Sequence, residues 1–273
     1  MIVPDVSGGR ALASPSLATP GIDRPLKILH VATLNIRNLA DRWFERLPLI
    51  LNDMSALQPD LLGLQEVVYP MQQDRLIGAA GEGRYREHRA WAGRPEYGNA
   101  LLVREPLTAT AVERIDLGYS RSALRALVGL PGGADLLMVV THLHHVTPDE
   151  GIRDEQAAAV LAWLDDGPSA AATILVGDFN ADPAEPAPAR IRADGFRSAY
   201  AEANGEEPAV TWPSGLIAEA MDTDGSPECL DYICVRGAIR VESARLCFDR
   251  PGPDDLTIYP SDHLGLAAWL EIG

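Results

Sequence analysis

Ten residues, TILVGDFNAD over 173–182, hold the densest chemistry in the chain. Thr173 to Val176 is an apolar, partly β-branched run. It ends in Gly177 and opens into an acid, an aromatic, an amide and a second acid. A buried strand with a polar site at its C-terminal end reads this way. Asp178 and Asn180 are two apart, so on extended backbone they point the same way and Phe179 turns into the core. A carboxylate and an amide side by side can hold a hard cation and orient a water. A strand-ending Asp is also a common turn former, so the motif needs company.

Other strand-like runs supply it. DLLGLQEV at 60–67 ends near Glu66, and DLLMVVTHL at 135–143 ends near His142, with His144 and His145 just beyond. LDYICV at 230–235 carries Asp231, and Asp262-His263 precede the final run, Leu264 to Leu270. Asn35 follows KILHVAT at 27–33, and Arg121 stands before the run Ser122 to Leu130. An acid at the end of an apolar strand is costly unless a cation or donors satisfy it.

These side chains need a scaffold that gathers strand ends. Apolar spacing predicts a helix over 43–57 that either starts at Pro48 or kinks there. A second helix is expected over 148–165, with Thr147 as N-cap, Pro148 at the first position and Glu150 completing a capping box. Residues 71–84 read as a weak helix and turn, and a short helix is expected near 187–194. Residues 99–103 and 239–247 read as strands. The rest of 181–228 reads as loop, anchored by Phe196, Tyr200 and Trp212. Two packed sheets with helices outside would bring the polar strand ends to one rim. The expected organisation is a flexible tail over 1–24 and a single catalytic domain over 25–273.

Composition narrows the partners. With 273 residues and 47% apolar content, a large core is affordable and disorder is not expected. The net charge of −16 repels long polyanions in bulk. Charge therefore favours a small or lipidic substrate over a long polyanion, with nucleic acid disfavoured. Cys229, Cys234 and Cys247 make neither a disulfide framework nor a zinc spacing, so buried free thiols are expected. No run reaches transmembrane length. Residues 1–21 lack a basic start and a long apolar stretch, so a cytoplasmic location is expected, with secretion left open. Oligomeric state is not set by the sequence.

Taken in order, LN at 34–35, DLLGLQEV at 60–67, YGNALLV at 97–103, Arg121, THL at 141–143, GDFNADP at 177–183, LDYICV at 230–235 and SDHLGL at 261–266 resemble the endonuclease/exonuclease/phosphatase family. These are the metal-dependent phosphoesterases related to pancreatic deoxyribonuclease and neutral sphingomyelinase. The resemblance implies an α+β fold, a four-layer α/β sandwich with two central mixed β-sheets flanked by helices. It implies Mg2+, with Mn2+ as substitute and one or two ions left open, held by Glu66 and Asp262. Asn35 orders the site, Asp178 and Asn180 activate and orient the attacking water, and His142 is the first active-site histidine. Asp231 pairs with His263. Arg121 supports the site or contacts phosphate, and Asn99 and Trp212 are placed on the substrate side. Some members carry an acid two places after the first asparagine; here it is Arg37.

In the chemistry this implies, Asp178 takes a proton from an ordered water, and attack runs in line with the departing oxygen. His263, oriented by Asp231, donates to a phosphoryl oxygen, and His142 contacts another, with Glu96 as a candidate orienting partner. The expected activity is metal-dependent hydrolysis of a small-metabolite or lipid phosphate ester, so the expected partner is a phosphorylated small molecule or lipid head group. The alternative is a DNA or RNA nuclease using Arg84, Arg86, Arg89, Arg94, Arg104 and Arg121. A non-catalytic binding protein is the third reading.

Overall fold

Successive residues of the central strands bury on opposite sides of their sheets, which is why these runs are apolar without alternation. The structure, a computed structural model, describes residues 28–69, 71–81, 84–219, 221 and 225–273. The tail expected over 1–24 lies outside them. In chain order the elements are β1 (Ile28–Asn35), α1 (Trp43–Leu57), β2 (Leu61–Val67), α2 (Gln73–Ala79), β3 (Tyr85–Ala90), β4 (Gly98–Arg104), β5 (Thr108–Gly118), β6 (Arg121–Gly129) and β7 (Asp135–His142). They continue as α3 (Glu150–Asp165), β8 (Ala172–Asp178), α4 (Pro186–Ala193), β9 (Arg197–Ser198), α5 (Ala199–Asn204), β10 (Asp231–Gly237), β11 (Ile239–Cys247) and β12 (Gly265–Ile272).

One sheet runs β11-β12-β1-β2-β4-β3 and the other β5-β6-β7-β8-β10-β9. Both are mixed, with β1–β2 and β7–β8 as parallel pairs. Between the sheets pack Val31, Leu61, Leu101, Met138, Val140, Ile174, Val176 and Leu266. On the outer face of the first sheet, Ile50 and Met54 of α1 meet Ala32, Leu62 and Leu64. On the outer face of the second, Ala157, Val160 and Leu164 of α3 meet Leu137, Val139 and Leu175. This is the four-layer arrangement. Gly63 lets the sheets close near the rim, because a Cβ there would lie 2.5 Å from Val176 Cγ2.

Several expectations change in detail. Helix α1 begins at Trp43 and continues through Pro48. Helix α3 begins at Glu150, and Thr147 is not its cap: Asp149 holds the N-cap position, with its carboxylate facing His144 Nε2 at 2.9 Å instead of the helix amides. Strand β5 escaped the sequence reading because most of it is exposed and it carries no apolar alternation. Strand β3 escaped for the same reason, since only its two ends are buried. The three cysteines are free and buried, as expected. Among the described residues no helix is long and apolar enough to cross a membrane.

His30 sits on β1 with its ring stacked 4.3 Å from that of Trp269, and its Nε2 is buried without a hydrogen-bond partner. Burial, aided by Arg104 and Arg245 and opposed by Asp60, lowers its pKa from 6.5 to about 4. Between those values the unfolded chain takes up a proton that the folded chain refuses. Stability therefore falls as pH drops through this window, by up to about 3 kcal/mol from this residue. Denaturant unfolding at pH 7.5 and pH 5 should show His30→Phe losing about 2 kcal/mol less than the parent over that interval.

Candidate active site

The parallel register of β7 and β8 sets His142 beside Asp178, and the antiparallel register of β8 and β10 sets Asp231 on its other side. Gly177 makes the approach fit. At φ 149 it lets β8 pass so close to β7 that a Cβ would lie 1.9 Å from the Thr141 carbonyl oxygen. Strand β8 ends at Asp178, so Asp178 and Asn180 do not share an extended stretch. Instead Asn180 is left-handed, at φ 48, and its N–H donates to Asp178 Oδ1 at 2.8 Å. Its side-chain Nδ2 donates to the Leu143 carbonyl at 3.0 Å, which leaves Oδ1 as its accepting atom. Phe179 turns into the core.

The other sheet supplies the facing groups. Asn35, at the end of β1, donates to Asp178 Oδ2 at 2.9 Å and to Glu66 Oε1 at 3.5 Å. Glu66 lies in a β-bulge of β2, where two residues oppose one on β4, and it adopts φ 59. That conformation costs a side-chain-bearing residue about 1–2 kcal/mol, and it aims the carboxylate into the cleft. Asn38 Nδ2 donates to Glu66 Oε2 at 2.8 Å. Asp262 is met by Arg37 Nη1 at 3.5 Å and by the Ser261 hydroxyl at 3.1 Å.

Arg46, fully buried on α1, fixes this side. It donates to the carbonyls of Ile36, Arg37, Ala40, Asp41 and Pro260 at 2.6–3.1 Å. One guanidinium thus ties the Asn38 loop to the segment that carries Asp262.

Two histidines converge on Asp178 Oδ2, His142 Nε2 at 3.4 Å and His263 Nε2 at 3.6 Å. Their states differ. Arg121 can only donate, so His142 Nδ1, 3.1 Å from its Nη1, must accept. His142 is then neutral with its proton on Nε2. Burial, reinforced by Arg121, His263 and His145, holds its pKa well below the usual value. His263 Nδ1 lies 2.9 Å from Asp231 Oδ2. Burial alone would depress this imidazole, but Asp231, Asp178 and Asp262 outweigh it and raise it to about 10. Burial pushes Asp178 up to about 7, with His263 pulling down and Asp231 pushing up.

A cleft of about 470 Å3 opens over these groups. Glu66, Arg121, His142, Asp178, Asn180, Trp212, Asp262 and His263 all line it. Asn35 and Asp231 stand buried behind, bonded to the lining residues. Asn99 is elsewhere: its amide donates to the Ser122 carbonyl at 2.7 Å and ties β4 to β6, away from the cleft lining. His142 is oriented by Arg121, not Glu96. Arg86, Arg89 and Arg104 are paired with Glu105, Asp74 and Asp60, so the expected basic tract is largely spent on structure. Arg46, Asn38 and Ser261 were not singled out from the sequence. Only Ser261 had a signal, as part of the SDH motif.

Ligand atoms of Asp178, Asp231 and His263 lie within 4.8 Å of one another and can hold a divalent metal ion. Two observations fit a cation in this site. Asp231 Oδ1 is buried with no hydrogen-bond partner. Burial, with Asp262 beside it, also raises the Glu66 pKa, the signature of carboxylates short of positive charge.

The family model described as "Endonuclease/Exonuclease/phosphatase family" matches residues 32–263. The chain belongs to this family. Nocturnin of Homo sapiens is 29% identical over 260 residues, covering 82% of this chain and 57% of that protein, so the chain spans less than two thirds of that relative. The human Nocturnin catalytic domain with bound sulfate anion is 24% identical, with TM-score 0.73 over 90% of this chain and 95% of that one. D. rerio TDP2 complexed with single strand DNA product is 19% identical, with TM-score 0.74 over 89% and 98%. The site is that of a metal-dependent phosphoesterase.

These likenesses correct the partner expected from charge. A protein of this fold holds a DNA strand, so acidity does not turn the partner away from nucleic acid toward a small metabolite or lipid head group. The physical reason is that a substrate meets the cleft lining, where Arg37, Arg121 and His145 stand among Glu66, Asp178 and Asp262, and not the charge averaged over the surface.

Gly177→Ala should destabilise the fold by about 3 kcal/mol, since a methyl group meets a carbonyl at a left-handed position. Denaturant unfolding measures it. Ala at the open Gly133, with φ 86 and no neighbour within 4 Å, controls for the backbone penalty alone.

Proposed function

We propose that the chain hydrolyses a phosphate ester of a nucleic acid, DNA or RNA, with Mg2+ bound. The observation that carries the reading is the Asp178 carboxyl, raised by burial, with His142 Nε2 at 3.4 Å and His263 Nε2 at 3.6 Å from its Oδ2 at the base of an open cleft. A general base works best with a pKa near the working pH. The single strand DNA product on D. rerio TDP2 and the sulfate, a tetrahedral dianion, on human Nocturnin support the substrate class.

We place Mg2+ on Glu66 and Asp262, because it prefers oxygen ligands. The bound ion would screen the phosphoryl oxygens and make water more acidic. In this scheme Asp178 accepts the proton of the attacking water and Asn180 Oδ1 accepts its other hydrogen, while the ester P–O bond opposite the water breaks and its departing oxygen takes a proton from solvent. His142 Nε2–H and His263 Nε2–H donate to two phosphoryl oxygens as negative charge grows there. Asn35 holds Asp178 in place through the 2.9 Å hydrogen bond. Trp212 lines the cleft, where its ring is the aromatic group on which a base would stack.

Single-stranded and duplex DNA and RNA, a chromogenic monoester and a chromogenic diester, each with Mg2+ or Mn2+, form the deciding panel. Cleavage of a nucleic acid that EDTA abolishes is expected. Turnover of the chromogenic esters with every nucleic acid left intact would sink the substrate class. Asp178→Asn should cut kcat by 10^2 to 10^4-fold while the melting temperature holds or rises, since a buried acid is lost. Mg2+ should raise the melting temperature of the parent, and Glu66→Gln and Asp262→Asn should each shrink that shift. An equal shift in all three proteins would place the ion elsewhere.

A further inference from the structure

Arg121 is a buried guanidinium, 1% exposed, with no ion-pair partner among the described residues and a buried, unpartnered Nε. Glu66 and Asp178 offset its charge across the cleft, but neither is bonded to it. Its two remaining nitrogens reach only imidazoles: Nη1 to His142, and Nη2 to His145 Nδ1 at 3.0 Å. Because Arg121 donates, His145 Nδ1 accepts, and the His145 proton sits on Nε2. His145 is exposed and lines the cleft. The Tyr97 ring joins the group, with the guanidinium carbons of Arg121 and Arg94 at 4.4 and 5.9 Å from its centroid and the His145 ring at 6.3 Å. Arg94 is exposed and makes no ion pair among the described residues. After burial, every further influence on the His145 imidazole is cationic or imidazole: Arg121, His144, Arg94 and Arg37. Glu185, an acid of the same cleft, is held by Arg153 at 2.6 Å. In a chain of net charge −16 these donors stand together, and among the described residues no acid is bonded to Arg121, His145 or Arg94.

We propose that His145 and Arg94, backed by Arg121 and walled by Tyr97, form a second anion subsite that takes another phosphate of the same substrate, beside the one that is cut. The inference rests on the nucleic-acid reading and deepens it: substrate strands are selected by a flanking phosphate. Arg121 acts there as a positioning residue, through His145. A terminal phosphomonoester and the next internucleotide phosphate carry the same chemistry.

Three single-stranded substrates separate these sources: a dinucleotide with one phosphodiester, the same dinucleotide with an added terminal phosphate, and a trinucleotide. In Mg2+, the parent should show kcat/KM at least tenfold higher for one or both of the longer-charged substrates than for the dinucleotide. Arg94→Met and His145→Phe should each bring that ratio down severalfold toward one. Arg240→Met, at an exposed arginine on β11, controls for net charge and should keep the parent ratio. Gain with the terminal phosphate alone, or with the trinucleotide alone, names the phosphate taken. A parent ratio near one, or an unchanged ratio in both variants, overturns the subsite. If none of the three is cut, the hydrolase reading fails separately. The same ratios are then read from dissociation constants by fluorescence anisotropy, with the same outcomes supporting or overturning the subsite.

Discussion

A single carboxylate oxygen, Asp178 Oδ2, is where the two halves of the molecule meet. Asn35 and His263 reach it from the first sheet, and His142 from the second. Such an oxygen buried without donors would neutralise or expel itself. Here the donors come from chain segments separated by more than a hundred residues, so the arrangement exists only when both sheets are stacked in register. The core between the sheets supplies that register, and the glycine before Asp178 permits it.

The same oxygen faces two imidazoles that nonetheless differ in charge. The difference is set one layer out. His142 rests on a guanidinium, which can only give hydrogen bonds and so keeps the ring neutral. His263 rests on a carboxylate, which favours the ring's second proton. Both present an N–H toward Asp178, one neutral and one charged. The cleft therefore holds graded donors rather than a uniform positive patch, alongside acids left short of positive charge.

Much of this was legible in the chain. The apolar runs of β1, β2, β7, β8 and β10 are continuous because both faces are buried, and their polar ends stood out against them. Glu66, His142 and Asp178 stood out on that contrast, and the order of the motifs along the chain added Asn180, Asp262 and His263. Asn99 stood out equally, yet it ties β4 to β6, because a buried amide between strands has the same sequence appearance as one in a pocket. The left-handed turn at Asn180 and the bulge at Glu66 are invisible to period-two counting. Thr147 looked like a cap, but Asp149 took the position. Arg46 sat on a helix among other charged residues, and nothing local revealed that it would be buried. The bulk charge misled because it averages over a surface, whereas a substrate meets only the cleft.

Arg46 has a consequence for how this protein can change. Its five carbonyl contacts weld the Asn38 turn, the SDH segment and the first helix into one rigid block, so the acid-bearing wall of the cleft has almost no freedom to drift. The opposite wall, with Tyr97, Arg94 and His145, is held by fewer such bonds among the described residues, those of Arg153 to the Val146 and Thr147 carbonyls. Descendants of this sequence seeking new substrates would be expected to remodel that looser wall and leave the riveted one alone.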